Sequence, residues 1–164
     1  MGKDKILDAL HKGKMSKVAV LFALHCWFLT GCALPRIIVL DDPLSPEEHI
    51  NLGVAYENRG EFDSAIKEYE IASKNLPLAY VYLGNVSFQK NEFGDAEGYY
   101  RKAMEKDPKN ADAYNNLAWL YYTEKERLGE AEALALKAGE LNPAKREIYE
   151  DTLQKIRALK SAPP

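Results

Sequence analysis

The sequence predicts an all-α protein, a solenoid of three helix-turn-helix repeats closed by a C-terminal capping helix. Three observations carry that prediction. Small, aromatic and proline residues recur in register, 31 residues apart between the first two copies and in a recognisable third. Helix-start and helix-stop residues fall at the copy ends. After the third copy, a helical stretch turns polar where its predecessors are small or aromatic, as the outer face of a terminal helix requires.

The 164 residues suit about one domain with a real core. Lys and Arg number 22 against 25 Asp and Glu, a formal charge of −3. The first 31 residues hold Lys3, Lys5, Lys12, Lys14 and Lys17 but only Asp4 and Asp8; the remainder has 17 basic and 23 acidic residues, a net charge of −6. An acidic body argues against a nucleic-acid partner, which calls for a basic face. The two cysteines, Cys26 and Cys32, both lie near the N-terminus, so the body has neither a disulfide framework nor a cysteine metal site.

The first element, residues 1–31, is read as a signal peptide. Lysines up to Lys17 precede the apolar run Val18 to Gly31, whose 14 residues are too few for an ordinary spanning helix of about 20. An alternative start at Met15 leaves a more usual signal length. Leu29-Thr30-Gly31-Cys32 resembles the bacterial lipobox: aliphatic, small, Gly or Ala, then Cys. That resemblance implies a diacylglyceryl group on the Cys32 thiol, cleavage before Cys32, and acylation of the new amine (palmitate being a usual chain). One acyl chain anchors only marginally at about 0.8 kcal/mol per CH₂, so three chains make anchoring effectively permanent. Ala33 after the cysteine, by resemblance to an enterobacterial sorting rule, points to the outer membrane, facing the periplasm. Residues 32–44 then form a linker with two prolines, and its apolar Ile37-Ile38-Val39-Leu40 suits a short strand or packing on the first helix.

The first repeat is set at 45–77. Ser45-Pro46-Glu47-Glu48 reads as an N-cap serine, a first-turn proline and a capping-box glutamate. The second repeat, 78–110, matches it column by column: Leu52-Gly53 with Leu83-Gly84, Phe62 with Phe93, Ala65 with Ala96, Tyr69 with Tyr100, Ala72 with Ala103, Pro77 with Pro108. The third, 111–143, continues with Leu117-Ala118, Tyr121, Ala131, Ala135, Ala138 and Pro143. Gly53, Gly84 and Ala118 are expected to meet Ala65, Ala96 and Ala131 closely, with Tyr56, Tyr69, Tyr100 and Tyr121 filling space between pairs. Gly60 and Asn91 suit the turns, and the prolines stop the second helices. The first junction is three residues short, and the third internal turn, Thr123 to Glu130, has one residue extra. In the capping helix, 144–160, Gln154 and Arg157 stand where a small residue and an aromatic are expected; 161–164 is a tail.

These columns resemble the tetratricopeptide repeat, a family of 34-residue helix-turn-helix units, over about residues 46–143. The resemblance implies a concave groove lined by the first helix of each pair, where a peptide or protein partner binds. Carried over residue by residue, the groove consists of Ile50, Val54 and Glu57 from the first repeat and Val81, Asn85, Phe88 and Gln89 from the second. The third repeat adds Asn115, Trp119 and Tyr122. Aromatic rings bury area and amides bond a peptide backbone. The subgroup that clamps a terminal carboxylate uses Lys and Arg in these columns, which are apolar or amide here.

Catalysis is not expected: beyond residue 31 there is one histidine, His49, read as a packing or turn residue, and there is no phosphate loop. The acid pairs Glu47/Glu48, Glu68/Glu70 and Glu130/Glu132 are read as solvated helix faces. Neither metal nor cofactor is expected apart from the covalent lipid on Cys32. The combined expectation is a membrane-anchored lipoprotein adaptor or scaffold. Its partner is a protein or peptide, with the membrane reached through the lipid, no nucleic acid, and the oligomeric state left open. A self-associating assembly piece of pilotin type and an accessory subunit of a separate peptidase are the alternatives.

Overall fold

The computed structural model describes residues 42–162; the segment read as a signal peptide, Cys32 and Ile37 to Leu40 lie outside the described residues. Among the described residues seven α-helices succeed one another: α1 Pro46–Glu57, α2 Phe62–Ser73, α3 Ala79–Gln89, α4 Phe93–Lys106, α5 Ala111–Glu124, α6 Leu128–Leu141 and α7 Arg146–Ser161. A 3₁₀ turn, Pro143–Lys145, precedes the last. Each odd-numbered helix packs on the even one after it, each even one packs on the next odd one, and α1, α3, α5 and α7 also touch in succession. The all-α solenoid is therefore present, with the first helices of the pairs forming one side. Among the described residues no helix is long and apolar enough to cross a membrane.

Local chemistry sets the ends. Ser45 Oγ accepts from the Glu48 amide at 3.2 Å while Glu48 Oε2 accepts from the Ser45 amide at 2.7 Å, completing the capping box. The pair turns repeat one geometry. The amides of Glu61, Glu92 and Glu126 donate to the carbonyls of Tyr56, Ser87 and Tyr121, at 3.0, 2.8 and 3.0 Å. The residue before each donor has left-handed backbone: Gly60 at φ 76°, Asn91 at 61°, Lys125 at 57°. That conformation closes a helix by returning two amides to its last carbonyls. The extra residue of the third turn is accommodated by a second left-handed residue, Arg127 at φ 46°. Pro108 and Pro143 come directly after the C-caps Asp107 and Asn142, whereas α2 stops at Ser73, well before Pro77. The shortened first junction is a run of tight turns, with amides of Ala79, Tyr80 and Val81 each bonding the carbonyl three residues back.

Two large apolar clusters make the core. One joins α1, α2 and α3 through Ile50, Ala65, Tyr69, Ala72, Leu83 and Val86. The other runs from α4 to α7 through Ala96, Tyr100, Leu117, Tyr121, Ala135 and Ile156. The glycine columns differ from expectation. A Cβ on Gly53 would come within 2.3 Å of the Tyr69 ring, and one on Gly84 within 2.4 Å of the Tyr100 ring. The close neighbour is thus a tyrosine four residues beyond the expected alanine, because the ring lies flat against the bare helix backbone. In α7, Tyr149, Thr152, Leu153 and Ile156 are buried while Gln154 and Arg157 are exposed, the division a capping helix requires.

Candidate peptide-binding groove

Five of the residues expected to face the groove gather around one pocket of about 320 Å³. Glu57 enters from α1, Asn85, Phe88 and Gln89 from α3, and Trp119 from α5; Tyr100 and Asn116 complete the lining. Helical spacing explains the set: residues three or four apart share a face, and that face recurs on α1, α3 and α5.

Polar contacts join the repeats across this surface. Glu57 accepts from the Tyr69 hydroxyl at 2.8 Å and from the Gln89 side-chain amide of the next repeat. Asn85 Oδ1 accepts from the Tyr100 hydroxyl at 3.0 Å and from Asn116 Nδ2 at 2.9 Å. Those two bonds fix the Asn85 amide with its carbonyl turned to the protein, and its Nδ2 has no partner among the described residues. Burial pushes the Tyr69 and Tyr100 phenols up, with the Glu57 charge adding to both, so they remain neutral donors at any ordinary pH. On the apolar side, Phe88 tilts against Phe93 at 5.5 Å, and Trp119 against Tyr122 at 5.0 Å. Lys155 of α7 lies over the Trp119 ring at 5.1 Å and is paired with Asp151 at 2.6 Å.

The other expected groove residues stand elsewhere. Ile50 and Val81 are buried, 6% and 5% exposed, in apolar clusters. The third member of that column, Asn115, is half-buried with its Oδ1 enclosed and unbonded. This column turns between helices, so it is a packing column and corrects the expectation for Ile50 and Val81. Val54 and Tyr122 are half-buried and pack on the two main clusters. Tyr100 and Asn116 are groove residues that the repeat columns do not announce. Tyr100 reads as pure packing by its column, and the only hint of Asn116 is the doubled amide Asn115-Asn116.

Several acids are more than solvated. Glu68 Oε2 lies 2.7 Å from Nδ1 of His49, which is buried at 3% exposure and has Nε2 at 3.2 Å from Asp42. Glu132 of α6 binds Arg157 and Lys160 of α7 at 2.7 and 2.9 Å. Both acids sit on second helices where a neighbouring helix brings up a basic side chain, which corrects their reading as free surface. Glu97, the column equivalent of Glu132, accepts from Nη1 and Nη2 of Arg127 at 2.7 Å, from Arg101 at 2.8 Å and from the Tyr121 hydroxyl at 2.7 Å. The Arg127 guanidinium, foremost among these donors, holds its carboxyl down at about 2.

Two family models, both described as tetratricopeptide repeat, match residues 50–111 and 99–133. Human tetratricopeptide repeat protein 6 is 37% identical over 71 residues, 42% of this chain and 14% of its own length. Stress-induced-phosphoprotein 1 of Caenorhabditis elegans is 37% identical over 67 residues, 41% of this chain and 21% of its own. The match thus spans only about a fifth or less of either relative. Among solved structures, the TPR2B domain of yeast Sti1 in complex with pHsp70 superposes with a TM-score of 0.63 at 21% identity. It covers 69% of this chain and 96% of that one. The first TPR of Spaghetti (RPAP3), bound to the HSP90 peptide SRMEEVD, gives 0.64 at 20%, covering 76% and 99%. PcrH from Pseudomonas aeruginosa gives 0.62 at 17%, covering 71% and 92%. With its repeated columns, its stacked helix pairs and models matched across residues 50–133, the chain belongs to the tetratricopeptide repeat family.

Proposed function

We propose that this protein is a lipid-anchored adaptor of the bacterial envelope that holds a peptide segment of a partner protein in its concave groove. The observation that carries the binding half is the pocket itself: Phe88 and Trp119 flank it, and Asn85 has its carbonyl committed and its amide free. Rings supply buried area at low entropic cost, and an oriented amide supplies a donor for a peptide carbonyl. Two of the solved structures of like fold hold a peptide or protein partner, as their names state. The anchoring half rests on the sequence Leu29-Thr30-Gly31-Cys32 after a basic and then apolar segment.

One experiment tests both halves. Cells expressing the protein with a photo-cross-linking residue at the rim position Gln89 are labelled with radioactive palmitate, irradiated and fractionated. The wild-type chain is expected to carry label, sediment with membranes and form a discrete cross-linked product. Cys32→Ala should lose the label and membrane association. Trp119→Ala should keep both and lose the cross-link. Label persisting on Cys32→Ala sinks the anchor, and a cross-link indifferent to Trp119→Ala sinks the groove.

A further inference from the structure

The kind of peptide that fits the groove is set in part by the charge within the pocket. Of its seven lining residues only Glu57 is charged. In the later repeats the same column holds Phe88 and Tyr122, so an acid here is out of pattern. Glu57 is half-buried, and its hydrogen-bond partners, the Tyr69 hydroxyl and the Gln89 amide, are both neutral. No cation among the described residues pairs with it. Glu97 and Glu132, each with a 21% exposed side chain, are by contrast met by two cations apiece. A withdrawn carboxylate that lacks a cation is a place for one, since charge-assisted bonds to carboxylates are the strong ones.

The surroundings narrow the occupant further. On the other side, Lys155 of α7 lies over Trp119 and is already paired with Asp151, so it is not left free to neutralise Glu57. We infer that the groove takes an extended peptide bearing a lysine or arginine, its cation on Glu57, its side-chain stem along Phe88 and its backbone carbonyl on Asn85 Nδ2. A long basic side chain suits this path because its methylenes bury against rings while its head reaches the charge. An acidic or carboxylate-terminal peptide is disfavoured, since it would add negative charge beside Glu57.

The inference rests on the groove reading, and the test separates the two. Random octapeptides displayed on phage are selected on the full-length protein, on Glu57→Gln, on Trp119→Ala, and on Glu105→Gln, which removes an exposed acid elsewhere. Gln keeps an acceptor for the Tyr69 hydroxyl, and circular dichroism checks each fold. Peptides selected on the wild type and on Glu105→Gln should be enriched in Lys or Arg at one fixed position beside an apolar residue. That enrichment should vanish on Glu57→Gln. For one selected peptide, synthesised and labelled, replacing the fixed basic residue by norleucine should weaken binding about tenfold, the scale of a charged hydrogen bond. Replacement by glutamate should weaken it further. Enrichment that is neutral or acidic, or that survives Glu57→Gln, overturns the inference while leaving the groove reading intact. Selection unaffected by Trp119→Ala, or no selection at all, overturns both.

Discussion

Gly53 and Gly84 have no room for a methyl group, because the rings of Tyr69 and Tyr100 lie where it would go. The third repeat solves the same contact differently: Ala118 and Ala135 occupy these two columns, and both are buried. Glycine faces tyrosine twice and alanine faces alanine once, so the columns are coupled. This predicts a change of sign. Gly84→Ala should destabilise the wild type by about 1–3 kcal/mol through overpacking against a well-fixed ring. In a Tyr100→Ala background the ring is gone, and the same change should stabilise by up to about 1 kcal/mol, the helix-propensity gain of alanine over glycine. Urea titrations of the four proteins measure it. Equal effects in both backgrounds would mean that the ring does not dictate the glycine.

Between helices, the equivalent second-helix positions Glu97 and Glu132 tie the second and third pairs to the next element of the stack. Glu97 of α4 binds Tyr121 and Arg127 of the third repeat, and Glu132 of α6 binds Arg157 of α7, the residue in the column of Tyr121. Arg127 is held in left-handed backbone, a conformation that costs a non-glycine residue on the order of 1 kcal/mol. Its stacking at 3.8 Å over Tyr121 and its two bonds to Glu97 offset that cost. An acid dependence results. In the folded state Glu97 titrates at about 2, below its ordinary value of 4.5. Its contribution is therefore present above about pH 4.5 and is lost as pH falls toward 2. Glu97→Gln should cost about 1 kcal/mol at pH 7, a discounted figure because Arg101 and Arg127 are 48% and 38% exposed. The gap between the two proteins should close from about pH 5 to about pH 2.5 in denaturation midpoints taken across that range. A gap independent of pH would assign the loss to packing.

Across the molecule, the features legible in the sequence are those that one column decides, and the illegible ones are those that several helices decide together. The pair turns, the capping box and the small-residue columns repeat, and each is dictated by a few adjacent residues. The groove depends on how far successive pairs rotate, which no single column states. Hence Ile50 and Val81 turn inward, while Asn116 and Tyr100 join Asn85 from other columns. The same long-range geometry divides the core into a cluster over α1 to α3 and another over α4 to α7. Solenoids couple chiefly through nearest neighbours, so damage should stay near its source. Ile156 of α7 is fully buried in the second cluster. Ile156→Ala should cost about 2–4 kcal/mol as a large-to-small core change. In native-state hydrogen exchange, amides of α5, α6 and α7 should lose that protection in full. Amides of α1 and α2, which share no apolar cluster with Ile156, should keep theirs, because their opening does not require the second cluster to open. Equal loss from α1 to α7 would show instead that contacts across the repeats, such as the bonds from Gln89 to Glu57 and from Asn116 to Asn85, bind all the pairs into one cooperative unit.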